Sequence, residues 1–317
     1  WDNPMKWQIT VKLYADIILQ CAYYDILDRK SSHNAIFASS PFGQYSSIRD
    51  VLGNLEDNGL SGIATAGNNR LSSNRSYENV FYIFTSLIRK FDKKGRSLSF
   101  FGSFTPKFVD REGHSVSDIR YYNISRSAVN RQYVDEEKNR FLLDGKLQYT
   151  EPLFDGVTLL AVYRYMHERD KGDMPLYQLD SLGGVWSDPN YSFGSIPEND
   201  LLLQTMNWRN SIYSTKTEQK HSVELKMSYA KNGLNLAAGV VFHPERTELE
   251  YRRADIDTTV VRTLFYVAPT LYAKKTFGNY NVDVNYNVQE QYPDLINMLD
   301  YTDDTDPLNV SSGNPGL

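Results

Sequence analysis

Tyr280-Asn281-Val282-Asp283-Val284-Asn285-Tyr286-Asn287-Val288-Gln289 alternates apolar and polar residues without a fault. A period of two places the two sets on opposite faces of a β-strand. One face is aromatic or β-branched. The other holds a carboxylate and four carboxamides. Such a strand has one greasy side and one wet side. The pattern recurs at 223–229, where Val223, Leu225, Met227 and Tyr229 alternate with Glu224, Lys226 and Ser228. It recurs at 141–150 and, with Phe101 on the polar side, at 97–108.

Short turns join these segments in pairs. Residues 92–96 link 77–91 to 97–110, and Phe154-Asp155-Gly156 links 139–150 to 157–167. Lys231-Asn232-Gly233 links 219–230 to 234–246, and Phe277-Gly278-Asn279 links 260–276 to 280–289. Asn-Gly, Asp-Gly and Gly-Asn supply the positive φ values that tight hairpins need. A further strand is predicted over 7–20. The other connections, 22–75, 111–137, 169–204 and 292–317, are polar and rich in Ser, Asn, Asp and Gly. They far exceed the usual connection of about 4–6 residues. Short turns alternating strictly with long loops predict an outer-membrane β-barrel, with periplasmic turns and external loops.

Two lengths support a membrane sheet. Phe81 and Phe91 lie ten residues apart on one face. At about 3.3 Å per residue and a tilt near 45° this spans roughly 23 Å, close to the roughly 25 Å apolar band of a barrel. The segments, at about 12–16 residues, are also long against a soluble mode of about 5–6. Aromatics sit beside the short turns (Phe91, Tyr149, Phe154, Tyr229, Phe277 and Tyr280), as an interfacial girdle would. The 317 residues carry a formal net charge of −5, which gives no reason to expect nucleic acid as a partner. No apolar run approaches the roughly 20 residues of a spanning helix. Cys21 is the single cysteine, so no internal disulfide forms, and it reads as a small apolar strand residue. The fold expected is all-β: an antiparallel up-and-down transmembrane barrel, partial, with about nine or ten strands.

Two sets of residues carry a family resemblance. One is Arg89-Lys90-Phe91-Asp92-Lys93-Lys94-Gly95-Arg96-Ser97-Leu98-Ser99 with Tyr149-Thr150-Glu151-Pro152-Leu153. The other is Asp304-Thr305-Asp306-Pro307-Leu308-Asn309-Val310 with Gly313-Asn314-Pro315-Gly316-Leu317. Both resemble the TonB-dependent receptor barrels of Bacteroidetes. The resemblance implies a barrel of about 22 strands around a plug, in the outer membrane of a Gram-negative cell. It implies nutrient uptake, no enzymatic activity and no cofactor. The implied partners are the lipid bilayer, a plug domain of the same parent chain, the energy-coupling TonB complex and, as a further candidate, a surface lipoprotein. Residues 1–317 are then expected to be part of one barrel domain, without its plug and remaining strands.

The polar faces supply candidate lumen contacts: Asp144, Lys146, Glu224, Lys226, Asp283, Asn285 and Asn287. Other motifs carry little. Asp300, Asp303, Asp304 and Asp306 lack the calcium-loop spacing. Gly113-His114-Ser115-Val116-Ser117 half-matches a nucleophile elbow but falls in an expected loop. His33, His114, His167, His221 and His243 lack metal-ligand spacing, so neither a catalytic residue nor a metal site is assigned. Two alternatives stay open: a barrel enzyme, and a soluble all-β module that binds glycans.

Overall fold

The computed structural model describes residues 5–10, 12–42, 47–53, 55, 60, 62–303 and 310–314. One antiparallel sheet dominates: β1 (Met5–Thr10), β2 (Leu13–Phe37), β3 (Ala64–Lys90), β4 (Ser97–Tyr121), β5 (Arg126–Phe154), β6 (Val157–Met174), β7 (Leu176–Gln178), β8 (Ile212–Lys231), β9 (Leu234–Arg253), β10 (Ile256–Phe277) and β11 (Tyr280–Asn287). Each strand hydrogen-bonds to the next in chain order, except that short β7 pairs with β5 and β6 passes directly to β8. β1 and β11 form the two edges, so the sheet is an open arc among the described residues. Helix is confined to connections: α1 (Ile48–Gly53), α2 (Asn199–Gln204) and short 3₁₀ turns.

The arc shows two faces. In-register partners point the same way, so Phe104 opposite Leu143 and Leu225 opposite Val240 mark one face. That face leaves Leu19, Phe81, Phe104, Leu143, Leu225, Phe265 and Val284 exposed. A patch so extensive requires an apolar surrounding. Cys21 lies on it, opposite Phe81. Tyr149, Phe154, Phe277 and Tyr280 stand exposed beside the short turns, where the girdle was expected. The opposite face is polar and concave, since one cavity collects side chains from β2 round to β9.

Several boundaries depart from the sequence reading. The strand expected over 7–20 breaks between Thr10 and Leu13 into β1 and β2. No Gly or Asn announces that turn, but Lys12 caps it by an ion pair to Asp92 and by accepting the Lys90 amide. The expected external loops are mostly strand. β2 and β3 stay paired from Leu13–Arg89 to Phe37–Ala64, which leaves 38–63 as the connection. β4 and β5 pair to Tyr121–Arg126, so 111–137 shrinks to a four-residue turn with Ser125 at φ 50. β9 and β10 join through Ala254 and Asp255, with Ala254 at φ 53. Strict alternation of turn and loop therefore fails at two external ends. Gly113-His114-Ser115 lies within β4 rather than in a loop.

The reason is height. A band of roughly 25 Å uses about 9–11 residues of a tilted strand. β5 has 29 residues. Its remainder stands beyond the lipid, where neither face need be apolar and the alternation disappears. Ion pairs hold the upper sheet instead, and they lie on its concave face: Lys107 to Glu78 at 2.7 Å, Arg111 to Glu136 at 3.0 Å, Arg140 to Glu168 at 2.7 Å and Lys138 to Asp170 at 3.2 Å.

Two small apolar clusters brace this upper part. Tyr133, Tyr177 and Leu179 pack with Trp186, Leu202 and Met206 on the convex side. Leu249 and Tyr251 pack with Leu295 and Leu299 on the concave side. The described part of 292–317 thus folds inward over β9 and β10 and does not extend outward as a loop. Arg262 donates to the Pro293 carbonyl at 2.6 Å, and Lys216 pairs with Asp294 at 3.2 Å.

Candidate functional site

A cavity of about 550 Å³ opens on the concave face at the external end. Its sequence origin is a repeat with period two. Lys30-x-Ser32-x-Asn34 on β2 and Arg70-x-Ser72-x-Asn74 on β3 both line it. The antiparallel register sets Lys30 opposite Ser72 and Ser32 opposite Arg70. Each cation therefore stands across from a serine hydroxyl. Arg111 and Ser115 on β4, Gln132 on β5 and Arg253 on β9 continue the wall. Among the described residues, four cationic side chains line the cavity against one carboxylate, Asp303.

Three of the cations are oriented from behind or beside. Lys30 pairs with Asp28 at 2.7 Å and Arg111 with Glu136 at 3.0 Å. The Arg253 side chain is only 3% exposed and meets Asp303 at 3.2 Å. Arg253 also donates from Nε to the Arg209 carbonyl at 3.1 Å and from Nη2 to Asn210 Oδ1 at 2.6 Å. Its guanidinium lies 5.6 Å from the Tyr301 ring centroid. Arg253 Nη1 is fully buried, and the buried Tyr251 hydroxyl is coupled to the same guanidinium.

A second concave pocket, about 350 Å³, lies nearer the short turns. Here Asp144 and Lys146, both expected in the lumen, come together with Arg164. Arg164 Nε donates to Asp144 Oδ1 at 2.8 Å, and the Lys146 ammonium lies 5.1 Å from the Phe101 ring centroid. That contact accounts for the aromatic that broke the alternation of β4. The other five candidates spread around the arc. Glu224 and Lys226 are half-buried on the concave face of β8, while Asp283, Asn285 and Asn287 are exposed on edge strand β11. They do not converge on Asp144.

Sequence reasoning missed the upper cavity because its residues fell in segments read as loops. The paired [Lys/Arg]-x-Ser-x-Asn triads were the available signal. Asp304 and Asp306 lie outside the described residues; Asp303 serves Arg253. His114 packs 4.9 Å from the Tyr133 ring, and His243 stacks 4.5 Å from Tyr266.

The convex rim is held differently. Arg131, 2% exposed, donates to four backbone carbonyls: Trp186 at 3.3 Å, Asp188 at 2.9 Å, Tyr191 at 3.0 Å and Ser192 at 3.4 Å. Burial pulls its pKa below the usual guanidinium value, and Asp188, Tyr191 and Asp180 counter that. This guanidinium fastens the segment 183–195 to the sheet.

The resemblance motif at the short-turn rim is also structural. Glu151 accepts from Arg96 at 2.7 and 2.8 Å, from Lys93 at 2.7 Å and from Tyr149 at 2.6 Å. Gly95 sits at φ 85, and a Cβ there would lie 2.9 Å from Pro152 Cγ. The turn 92–96 is thereby clamped to the neighbouring strand β5.

An apolar convex band, a polar concave face and a periplasmic corner of this kind define the wall of a transmembrane β-barrel. A model of the outer membrane protein beta-barrel family matches residues 89–317, and the chain belongs to that family. Its place is the outer membrane. Among solved structures it is similar to the ferric citrate transporter FecA in the unliganded form, with 7% identity and a TM-score of 0.36. That match covers 87% of this chain and 42% of FecA. No curated protein matches the sequence.

Proposed function

We propose that this chain is an arc of the barrel of a TonB-dependent receptor-type transporter that takes up a nutrient across the outer membrane. The observation that carries the reading is the concave face. It is lined by ion pairs and a polar cavity open toward the external end, not by the packed apolar layers that fill a small closed barrel. The two edges left open among the described residues also favour a larger parent, because unpaired strand edges are costly in lipid. The plug domain of that parent occupies the lumen, against Asp144, Lys146 and Arg164. The energy-coupling complex acts through the plug, and a surface lipoprotein covers the external rim. The barrel wall does no covalent chemistry. Deleting the full-length gene, or separately the energy-coupling complex, should abolish growth on the same nutrient in a panel of sole sources. Growth that depends on the gene but not on energy coupling would sink the reading.

A further inference from the structure

We infer that the upper cavity binds an oxyanion, a carboxylate or phosphate group, carried on a hydroxyl-bearing solute. The inference deepens the transport reading, since it names the substrate class of that lumen. Three observations converge on it. Among the described residues the lining holds Lys30, Arg70, Arg111 and Arg253 against one carboxylate, Asp303. Arginine forks suit the planar, two-oxygen geometry of carboxylate and the oxygens of phosphate. Second, the Arg253 guanidinium is fixed by Asn210, Asp303 and the Arg209 carbonyl, so its charge stands in a set place in the β9 wall. The side chain is thus preorganised and supplies a fixed positive charge to the cavity wall. Third, the rest of the wall is built from hydroxyls and carboxamides: Ser32, Ser72, Asn74 and Gln132 among them. These groups exchange hydrogen bonds with a polyol and would be wasted on an apolar ligand.

The binding event is simple. An anionic group is drawn to the fixed charge of Arg253 at the β9 wall. The oxygens of that group meet the cations projecting from β2, β3 and β4. The ligand's hydroxyls face the serine rows between them. No bond is made or broken.

The test is equilibrium binding to the full-length protein in detergent, using galacturonate, glucose 6-phosphate and neutral glucose as probes. At least one charged sugar should bind ten or more times as tightly as glucose, and added salt should weaken it. Arg70→Gln should weaken the charged probe about tenfold and glucose far less. Arg253→Lys keeps a charge but loses the fork, so it should also weaken binding; retained heat stability would show that the fold survives. Repeating the measurement in nanodiscs of anionic against zwitterionic lipid separates the sources of the oxyanion. Competition by the anionic lipid would support the oxyanion site and identify an anionic lipid headgroup as its occupant. Equal binding of all three sugars, or charged binding unaffected by both variants, would overturn the inference. Because this readout needs no uptake, a failure of energy-dependent growth would count against the transport reading alone.

Discussion

The lower and upper halves of β5 obey different rules. Between 141 and 149, Phe141, Leu143, Leu147 and Tyr149 point outward and are exposed, while Leu142, Asp144 and Lys146 point inward. Between 126 and 140 both faces are polar or covered by protein. Arg131 and Tyr133 face outward yet are buried beneath 176–206, and Glu136, Lys138 and Arg140 face inward in ion pairs. In the lower half the solvent selects the residues, because lipid touches one face and water the other. In the upper half local partners select them. The same backbone ladder runs through both, so the difference lies in what surrounds the strand and not in how it pairs.

The largest expected effect tests that division at adjacent positions. Leu143→Arg puts a charge on the lipid face in mid-band and should cost about 2–4 kcal/mol of barrel stability. Leu142→Arg puts the same group on the concave face, directly opposite Glu168. It should leave stability within about 0.5 kcal/mol of the parent. Urea unfolding of the full-length protein in lipid vesicles measures both. Equal losses would break the face assignment.

A second expected effect is confined to the upper half. Arg131→Met removes the donor that four carbonyls of 183–195 share. The segment should loosen by about 2 kcal/mol, the scale of a lost charged hydrogen bond. Limited proteolysis should then cut within 183–195 much faster, while the thermal transition of the barrel stays in place. Unchanged cleavage would show that the cluster around Tyr133 holds the segment without help. In that cluster the Tyr133 hydroxyl is pushed up to about 12 by burial, with Asp135 and Glu112 adding to it.

How much could be read from the sequence follows the same line. Four short turns and most membrane-level strands were legible, because tight hairpins favour Gly or Asn and lipid demands alternation; the turn at Lys12, without either residue, was not. Asn232 at φ 51 followed by Gly233 at φ 72 is the case in point. The upper extensions were not legible. Segments such as Asp110-Arg111-Glu112 are polar at every position, which reads as loop although it is a strand stapled by cross-strand charges. External turns at Ser125 and Ala254 carry positive φ without the usual residues, so nothing marked them. The concave-face placement of Asp144 and Lys146 was legible because they sit at membrane height. The cations of the upper cavity were lost with the strands that carry them.

The smallest expected effect returns to the lower rim, where the pairing resembles the upper half although the position belongs to the lower. The Arg96, Lys93 and Tyr149 side chains around Glu151 hold its carboxyl well below the usual range. A carboxylate whose folded pKa is depressed stabilises the fold fully above its unfolded value of about 4.3 and loses that contribution as pH falls toward the folded pKa. The clamp should therefore be indifferent to pH from neutral down to about 5 and weaken only in stronger acid. Hydrogen exchange of the 92–96 amides should show this as protection that is flat and then falls. Glu151→Gln keeps the shape but loses the charge, so its amides should exchange faster at neutral pH and show no acid step. If the parent protein lost protection near pH 6 to 7, a histidine and not Glu151 would control the corner. The charge clamp would then be decoration on a turn held by Gly95 packing against Pro152.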